Sequence, residues 1–377
     1  MNNCVLIITS HYPPNIGGVE SHLQALIEGL KKTNWDVVIS TYQPLASKIK
    51  VSKIEKGKGL IIYRMPWIGF NLVHRLFPYP ILEFLYLFPG LFFISSYSLI
   101  RHSKKIGVIH GQGLVPTIVA LILGRIFSKK VISSTHNLYF FPENGLYKDF
   151  SKFIFSSADK VLTPSKAAKV ELIRIGVPTE KIQFFRYWIN LEKFAPTNKK
   201  IAKQKLNWDK FTIFFVGRLI ETKGVGVLLE VIKKTKSNIN FVIAGTGPLA
   251  SEVEKTAKAG FNLRYLGRIE NQNLPKFYSA ADLVVVPSLV DEGFGFVVME
   301  AVACGTPVLA SDRGGLSDAV SKSTGRLFEP TVDELRSAIN NIFSHPNTLK
   351  EMEVNCRKYA LKNFSEENIE DIIKVYG

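Results

Sequence analysis

A pair of glutamates, Glu292 and Glu300, is the most informative chemical feature of the sequence; they stand eight residues apart in DEGFGFVVMEAVACGTPV. The segment follows the apolar run DLVVVPS (282–288), which indicates a buried strand. The apolar residues after Gly295 predict a helix that ends at Gly305. A helix start favours phosphate, and carboxylates accept hydrogen bonds from hydroxyl groups. The segment therefore predicts a site for a phosphorylated, hydroxyl-rich ligand such as a sugar nucleotide.

The two carboxylates are expected to have different roles. Glu300 lies just over one turn inside the predicted helix, among apolar residues, where it can hold both hydroxyls of a ribose. Glu292 stands on the preceding loop and can accept from hydroxyls of a second polar ring. Gly293 and Gly295 allow the backbone to approach a ligand closely. The alternative for Glu300 is an ordinary acid on a helix surface.

Two cations, Arg218 and Lys223, lie five residues apart in VGRLIETKGVGVLLE (216–230). This segment follows the first predicted strand of the second half of the chain, so both side chains stand near the carboxyl end of that strand. Together they can neutralise a diphosphate leaving group. The alternative is a pair of ordinary surface cations.

The segment HYPPNIGGVE (11–20) places Gly17 and Gly18 between the first strand and a predicted helix, where backbone N–H groups can donate to phosphate. A Gly-Gly pair is also common in a tight turn. It is not G-x-G-x-x-G, which argues against a dinucleotide cofactor.

His110 and His136 both fall at the ends of predicted strands. We interpret His110 as a core residue and His136 as the histidine that touches the transferred group. The sequence contains no D-x-D motif, no cysteine pair and no histidine cluster with metal-ligand spacing. It therefore predicts neither a metal nor another cofactor.

Apolar runs alternate with helical patterns along the whole chain, which predicts parallel βαβ units in doubly wound sheets. The pattern restarts after the polar stretch 195–205, so we expect two Rossmann-like domains, 1–190 and 191–363, facing each other across a cleft, with a final helix at about 364–377 that packs back on the first. The predicted strands are 4–10, 36–40, 107–111, 130–136, 160–165, 211–217, 240–247, 263–267, 282–288 and 307–311.

The composition is that of a globular protein of two domains, with 377 residues, 46% of them hydrophobic. Three widely spaced cysteines and an N-terminus without a basic, long apolar leader predict a cytoplasmic location. The net charge is +16, and residues 1–190 carry 23 Lys/Arg against 10 Asp/Glu, a net +13. This asymmetry favours an anionic partner such as a membrane, a nucleic acid or a phosphorylated substrate; the alternative is a lysine-rich solvated surface.

The stretch LFPYPILEFLYLFPGLFFISSYSLI (76–100) has one charge, Glu83, and an interruption is expected at Pro89–Gly90. Its length would allow a membrane span, and packing in the core is a second possibility. A third is an element at the inner face of a membrane, lying in the interface plane, with aromatic anchoring from Tyr139, Phe140 and Phe141. That arrangement would suit a lipid-linked acceptor.

Several segments together resemble glycosyltransferase family 4, with its GT-B fold. The similar pieces are GGVE, STHN, ADKVLTPSKAAKVELIRIGVPTEKI, GRLIETKG, AGTGP, ADLVVVPS and EGFGFVVMEAVACGTPV. The resemblance is strongest over 216–315 and weakest over 45–105. It implies a retaining, metal-independent transferase that uses a nucleotide-activated sugar, with the leaving phosphate as the base.

The resemblance also implies residue roles. Arg218 and Lys223 would hold the donor diphosphate and stabilise its charge, Glu292 would bind the sugar hydroxyls, and Glu300 the ribose. His136 would lie near the sugar's primary hydroxyl. The further donor contacts implied are Gly17, Gly18, Gly217, Ile269 (backbone, to the base), Gly293, Phe294, Gly295, Phe296 and Val297.

One segment departs from the family pattern. Where the family often has Pro-Asn-Gly-Val-Asp, this chain has RYWIN (186–190), which puts the usual contact between the domains in doubt. Two other functions stay open: another GT-B enzyme such as a sugar-nucleotide epimerase, and a nucleic-acid-binding protein. The dispersed basic residues and the lack of a nucleic-acid-binding motif argue against the second.

Overall fold

A computed structural model describes residues 3–15, 17–45, 49–69, 72–76, 79–136, 141–235 and 238–377. The chain forms two compact units, and the second is a single continuous segment, Trp188–Ser365. The first unit contains the remainder, Met1–Tyr187 together with Glu366–Gly377. The division falls three residues before the expected boundary at 190, and the last segment belongs to the first unit.

The first unit is built on an eight-stranded sheet. Its strands are β1 (Cys4–Thr9), β2 (Asp36–Tyr42), β3 (Ile54–Gly57), β4 (Leu60–Met65), β5 (Val108–Gln112), β6 (Lys130–Ser134), β7 (Lys160–Thr163) and β8 (Ile182–Phe184). They lie in the order β3-β4-β2-β1-β5-β6-β7-β8, and every neighbouring pair is parallel except β3 with β4. All six residues of β1 are buried, as expected for a central strand covered on both faces.

The helices of the first unit before residue 188 follow the strands as crossovers. They are α1 (Gly18–Lys32), α2 (Leu72–Leu76), α3 (Pro80–His102), α4 (Leu114–Phe127), α5 (Leu146–Ser157) and α6 (Lys166–Arg174). From β1 the chain continues to β2 on one side of it in the sheet, whereas β5 and then β6 lie on its other side. The carboxyl ends of β1 and β5 therefore flank a topological switch point, where ligands of open α/β sheets bind.

The expected interruption of α3 at Pro89–Gly90 is wrong, because the helix continues through both residues. The hydroxyl of Tyr42, on β2, donates to the carbonyl oxygen of Leu87 and accepts from the N–H of Leu91 at 3.0 Å. It thus bridges two backbone groups that are one helical turn apart. A Cβ atom at Gly90 would overlap the Tyr42 ring, so glycine is needed for this approach.

The second unit contains a six-stranded, all-parallel sheet. Its strands are β9 (Phe211–Val216), β10 (Ile239–Ala244), β11 (Leu263–Tyr265), β12 (Leu283–Val286), β13 (Val308–Ser311) and β14 (Gly325–Phe328), in the order β11-β10-β9-β12-β13-β14. Its helices are α7 (Lys199–Leu206), α8 (Val225–Lys234), α9 (Ala250–Lys258), α10 (Leu274–Ala280), α11 (Phe296–Ala303), α12 (Leu316–Ala319), α13 (Val332–Ser344) and α14 (Pro346–Asn363). The strands after β9 lie first on one side of it (β10, β11) and then on the other (β12, β13, β14), so the strand order reverses between β9 and β12. This reversal places a switch point at the carboxyl ends of these two strands.

The last helix, α15 (Glu370–Tyr376), packs on the first unit. The Tyr376 hydroxyl lies 2.7 Å from Nδ1 of His110, in the core. The guanidinium of Arg186, in the segment that departs from the family pattern, donates to Asp371 at 3.1 Å. Its neighbour Trp188 is fully buried. The unusual residues of RYWIN thus anchor the C-terminal segment and fill the core.

Candidate active site

Two loops meet at the switch point of the second unit. Residues 217–224 follow β9, residues 287–295 follow β12, and these two strands pair in parallel. The N–H of Leu289 donates to the carbonyl of Thr222 at 2.9 Å, which ties one loop to the other. Gly224 has a φ of +70°, and a Cβ atom there would overlap the carbonyl oxygen of Pro287. Glycine is therefore required at the point where the loops touch.

This contact brings Lys223 and Glu292 together. The Nζ atom of Lys223 donates to Oε1 of Glu292 at 2.7 Å, and the exposed fractions of the two side chains are 27% and 18%. The hydroxyl of buried Ser288 donates to the same carboxylate oxygen. Arg218 stands exposed at the start of the first loop. The sequence predicts both Lys223 and Glu292 as site residues. It does not predict that they form an ion pair, or that Ser288 donates to Glu292.

The backbone of Glu292 is held by a third loop. Its carbonyl accepts from the N–H of Gly315 at 2.7 Å, and Glu292 forms an isolated parallel bridge with Gly314. The Gly314–Gly315 turn follows β13, the next strand of the sheet, and it was not predicted as part of the site. The only signal in the sequence was a Gly-Gly pair at the carboxyl end of a predicted strand.

Glu300 is buried inside α11 with 7% of its surface exposed. Its neighbours Val298, Met299, Ala301 and Val302 are fully buried, so the alternative of an ordinary surface acid is wrong. The Tyr278 hydroxyl, on α10, donates to Oε2 of Glu300 at 2.7 Å. Burial raises the pKa of the Glu300 carboxyl to about 7, while the Tyr278 hydrogen bond and the charge of Lys193 oppose this rise. Tyr278 was not identified from the sequence.

The remaining predicted donor contacts of this unit lie on the same loops or beside them. The N–H of Gly217 donates to the carbonyl of Ala244 at 3.1 Å and so already has a partner. Ile269 is partly exposed in the segment after β11. Gly295 is buried at the start of α11, whereas Gly293, Phe294, Phe296 and Val297 are partly exposed. Their contacts with a donor stay predictions.

His136 lies just after β6 in the first unit and is buried. Its Nδ1 lies 2.8 Å from the Tyr187 hydroxyl, and its Nε2 bonds Oε1 of Gln112. Because Gln112 presents an oxygen, Nε2 carries the proton and Nδ1 accepts from Tyr187. Burial lowers the pKa of His136 to about 3, so the ring is neutral. Within the described part of the chain, Nε2 of the buried Gln112 side chain has no hydrogen-bond partner; no motif or spacing singles out this residue.

His110 does not lie at a strand end, as was expected, but in the middle of β5. It is fully buried, and its second ring nitrogen lies 2.6 Å from the Ser134 hydroxyl. Both nitrogens are therefore satisfied within the core, which confirms the interpretation of His110 as a core residue.

Gly17 and Gly18 stand at the start of α1, as predicted. The carboxylate of Glu20, itself buried, lies so close to Gly17 that a Cβ atom there would overlap it. A phosphate bound at this helix start would therefore lie close to the Glu20 carboxylate. Residues 139 and 140, expected to add aromatic anchoring after His136, lie outside the described residues, while Phe141 is buried. Among the described residues, no group of three or more His, Cys, Asp and Glu could hold a metal ion.

Two family models match the chain in succession. The model of glycosyltransferase family 4 matches residues 16–193, and that of glycosyl transferases group 1 matches residues 196–362. The chain belongs to glycosyltransferase family 4. This glycosyltransferase is 27% identical to an uncharacterised glycosyltransferase of Methanocaldococcus jannaschii, over 99% of this chain and 97% of the relative.

Two relatives have names that state an activity. One component of the phosphatidylinositol N-acetylglucosaminyltransferase of Arabidopsis thaliana is 25% identical over 96% of this glycosyltransferase and 79% of the relative. A GDP-mannose-dependent phosphatidylinositol monomannoside mannosyltransferase of Mycolicibacterium smegmatis is 22% identical over 96% and 94%.

Solved structures show that the glycosyltransferase has the GT-B fold. The sucrose-phosphate synthase of Thermosynechococcus elongatus superposes with a TM-score of 0.82 at 23% identity, covering 99% of this chain and 98% of that one. Anabaena HepE, solved with UDP-glucose, gives a TM-score of 0.76 at 17% identity over 99% and 98%.

Proposed function

We propose that this glycosyltransferase moves a sugar from a nucleoside diphosphate sugar to a lipid-linked or cell-surface glycan precursor, with retention of the anomeric configuration and without a metal. The observation that carries the donor part is the Lys223–Glu292 pair beside Arg218 at the switch point of the second unit. The cation Lys223 can bind a diphosphate, and the neighbouring carboxylate of Glu292 can accept hydrogen bonds from sugar hydroxyls, so the pair suits the junction of a diphosphate and a sugar. The UDP-glucose complex of HepE and the GDP-mannose-dependent relative support this class of donor.

The roles proposed follow from the contacts. Lys223 exchanges its carboxylate partner for the β-phosphate, and Arg218 adds the second positive charge as the leaving diphosphate forms. The exchange frees Glu292 to accept from sugar hydroxyls. Glu300, held by Tyr278, takes the ribose hydroxyls as a carboxylate with two acceptor oxygens.

Retention is proposed through attack on the face that the leaving group departs from, with the leaving phosphate as the base. His136 supports this indirectly. Its pKa of about 3 and its two hydrogen-bonded nitrogens make it a poor general base near neutral pH. We propose that it orients the sugar, and that Gly17 and Gly18 at the start of α1 contact the diphosphate of the donor.

The acceptor is proposed from the relatives that act on phosphatidylinositol or its mannoside. A lipid-linked acceptor stays in its membrane, so the enzyme must work at that surface. We accordingly propose a cytoplasmic protein that associates peripherally with the inner face of the membrane. A nucleic-acid partner is not part of the proposal.

The donor is tested with a panel of UDP-, GDP- and ADP-sugars, scored by calorimetric binding and by slow hydrolysis. One nucleotide should bind and hydrolyse well above the others, and Lys223→Ala should lose the hydrolysis. Binding of none of them by the wild type would contradict the proposal. An epimerase would instead return an isomerised nucleotide sugar without acceptor product, which chromatography of the products detects.

A further inference from the structure

Helix α3 presents a stripe of apolar side chains to solvent. Spacings of three, four and eight residues relate its members along five turns, which places them on one side of the helix. Ile81 is the most exposed member, with 73% of its surface exposed, and Phe93 in the middle of the helix is 64% exposed. The stripe consists of Ile81, Leu82, Leu85, Phe93, Tyr97 and Ile100.

The exposed apolar surface continues onto two neighbouring helices. Helix α4 contacts both α3 and α5, and the rings of Phe84 on α3 and Phe150 on α5 meet edge to face at 6.1 Å. The further exposed members are Ile122 and Ile126 on α4, and Leu146, Phe150 and Phe153 on α5. We name these eleven side chains the three-helix face. Patches of this kind are rare on monomers and indicate an interaction surface.

Helix α3 is fixed to its sheet and cannot leave it to cross a bilayer. It is the one described helix long and apolar enough for a span, with a mean hydropathy of 1.4 over its best window. Its other face, however, is held by Tyr42, by a 2.9 Å hydrogen bond between Ser98 and Ser40, and by a 2.8 Å bond between His102 and Tyr63. The helix is therefore a structural layer of the first unit that exposes one side only.

Positive charge predominates around the three-helix face. From residue 84 to residue 142 the sequence contains no Asp or Glu and six Lys or Arg. These cations are gathered at the C-terminal ends of α3 and α4, where Lys129 donates to the carbonyl of Ser103 at 2.7 Å and joins the two ends. They are Arg101, Lys104, Lys105, Arg125, Lys129 and Lys130. The acids on these helices are Glu83 at the start of α3, and Asp149 on α5 beside Lys148 and Lys152.

We propose that the three-helix face binds the surface of a bilayer that contains anionic phospholipid. The apolar side chains enter the boundary between headgroups and acyl chains, and the cations at the ends of α3 and α4 contact the headgroups. This surface deepens the proposed function, because it names the partner that brings the enzyme to a lipid-linked acceptor. A second copy of the chain is the poorer occupant, since the helices α3, α4 and α5 of each copy carry only two acids, Glu83 and Asp149, to meet the six cations of the other.

The test is flotation of the full chain with vesicles of phosphatidylcholine alone and of phosphatidylcholine with 30% phosphatidylglycerol. We expect binding to the anionic vesicles at low salt, weaker binding at 0.5 M NaCl and little binding to the neutral vesicles. Equal recovery in the soluble fraction with both vesicles at low salt would overturn the proposal. A concentration-dependent dimer that does not bind vesicles would overturn it in favour of a second copy.

Matched variants locate the surface. Leu85→Ser with Phe93→Ser on α3, and separately Ile126→Ser with Phe153→Ser on α4 and α5, should each lower vesicle binding about tenfold or more. The control pair on the other unit, Val354→Ser with Leu361→Ser on α14, changes side chains of similar exposure and should bind like wild type. If the control loses as much binding as the two test pairs, the assignment of the surface is wrong.

The cations are tested in the same way. Arg101→Gln with Arg125→Gln should lower binding to anionic vesicles about tenfold or more and flatten its salt dependence, whereas Lys350→Gln with Lys358→Gln on α14 should not. Hydrolysis of a soluble donor separates this proposal from the proposed function. Variants that lose vesicle binding should keep that hydrolysis. A wild type that hydrolyses donor but never binds vesicles refutes the docking surface alone, and one that binds vesicles but no donor refutes the proposed function alone.

Discussion

The Nζ atom of Lys223 lies 2.7 Å from Oε1 of Glu292, across two loops that follow neighbouring parallel strands. The pair is partly buried, and Ser288 donates to the same oxygen. Without a ligand, each of the two charges thus neutralises the other. Under the proposed function, a diphosphate would replace Glu292 as the partner of Lys223, and donor affinity would be the difference between two ion pairs.

Replacing either cation should abolish most of the turnover. We expect Lys223→Ala or Arg218→Ala to lower kcat about a hundredfold or more, the scale for loss of one charge stabiliser of a leaving group. Both residues lie on a loop, so the melting temperature should change little. Steady-state kinetics and thermal melts measure the two effects, and Lys234→Ala at the exposed end of α8 is the control. Wild-type turnover in either variant would contradict the assignment.

Glu300→Gln should weaken donor binding about tenfold or more, because a carboxylate accepts stronger hydrogen bonds from ribose hydroxyls than an amide does. Donor KM of the wild type should also rise as pH falls below about 7, since the ribose binds the ionised form and the free carboxyl has a pKa of about 7. KM measured from pH 6 to 8 tests this. A KM that does not change with pH in the wild type would contradict the role of Glu300.

The same substitution should make the folded protein more stable, relative to wild type, as pH rises. The folded pKa of Glu300 is raised above its ordinary value of 4.5, so the wild type loses stability as pH rises from about 4.5 to about 7. Gln does not titrate. The free energy of unfolding of Glu300→Gln relative to wild type should therefore increase by roughly 3 kcal/mol between pH 4.5 and pH 8. Denaturant melts at both pH values measure the difference, and a relative stability independent of pH would show that the carboxyl is not perturbed.

The first unit should be the more acid-sensitive one. Burial lowers the pKa of His110 and His136 to about 3 and that of His22 well below its usual range. The folded state therefore binds fewer protons than the unfolded state, and stability present above pH 6.5 is lost as pH falls below it, by up to about 1.4 kcal/mol per histidine and pH unit. The single histidine of the second unit, His345, is exposed. Hydrogen exchange at pH 7 and pH 5 should show protection lost first in residues 3–187; equal losses in both units would refute this.

Chelation should leave the activity intact. Under the proposed function, Arg218 and Lys223 would supply the positive charge that a metal would bring to the diphosphate, and the sequence has no D-x-D motif. Turnover should be the same after dialysis against EDTA as before it. Activity that disappears in EDTA and returns with Mg²⁺ or Mn²⁺ would overturn metal independence.

The sequence predicted the central strands well and the edges of the sheets poorly. The strands predicted from apolar runs are all present, because buried strands between helices consist almost entirely of apolar residues. The missed strands are β3, β4, β8 and β14; β3, β8 and β14 lie at the edges of their sheets, and β4 lies next to the edge strand β3. Edge strands pair on one side only and expose side chains, as Glu55, Lys56 and Arg326 do, so no continuous apolar run marks them.

The charged residues of the candidate site could be predicted from the sequence, but the residues that hydrogen-bond to them could not. Lys223, Glu292 and Glu300 stand at recognisable positions relative to strands and helices. Their partners Ser288 and Tyr278 reach them through tertiary packing, and a lone Ser or Tyr has no spacing that identifies it. The failed prediction at Pro89–Gly90 has the same cause, since a local rule for helix breaking cannot include a side chain from a distant strand.

Tyr42 makes the continuity of α3 a property of two segments that are 45 residues apart in the chain. An isolated peptide of residues 80–102 lacks this hydroxyl and should lose its helix at Pro89. A change confined to Tyr42, which is buried behind α3, would therefore interrupt the helix and separate the two halves of its exposed apolar stripe.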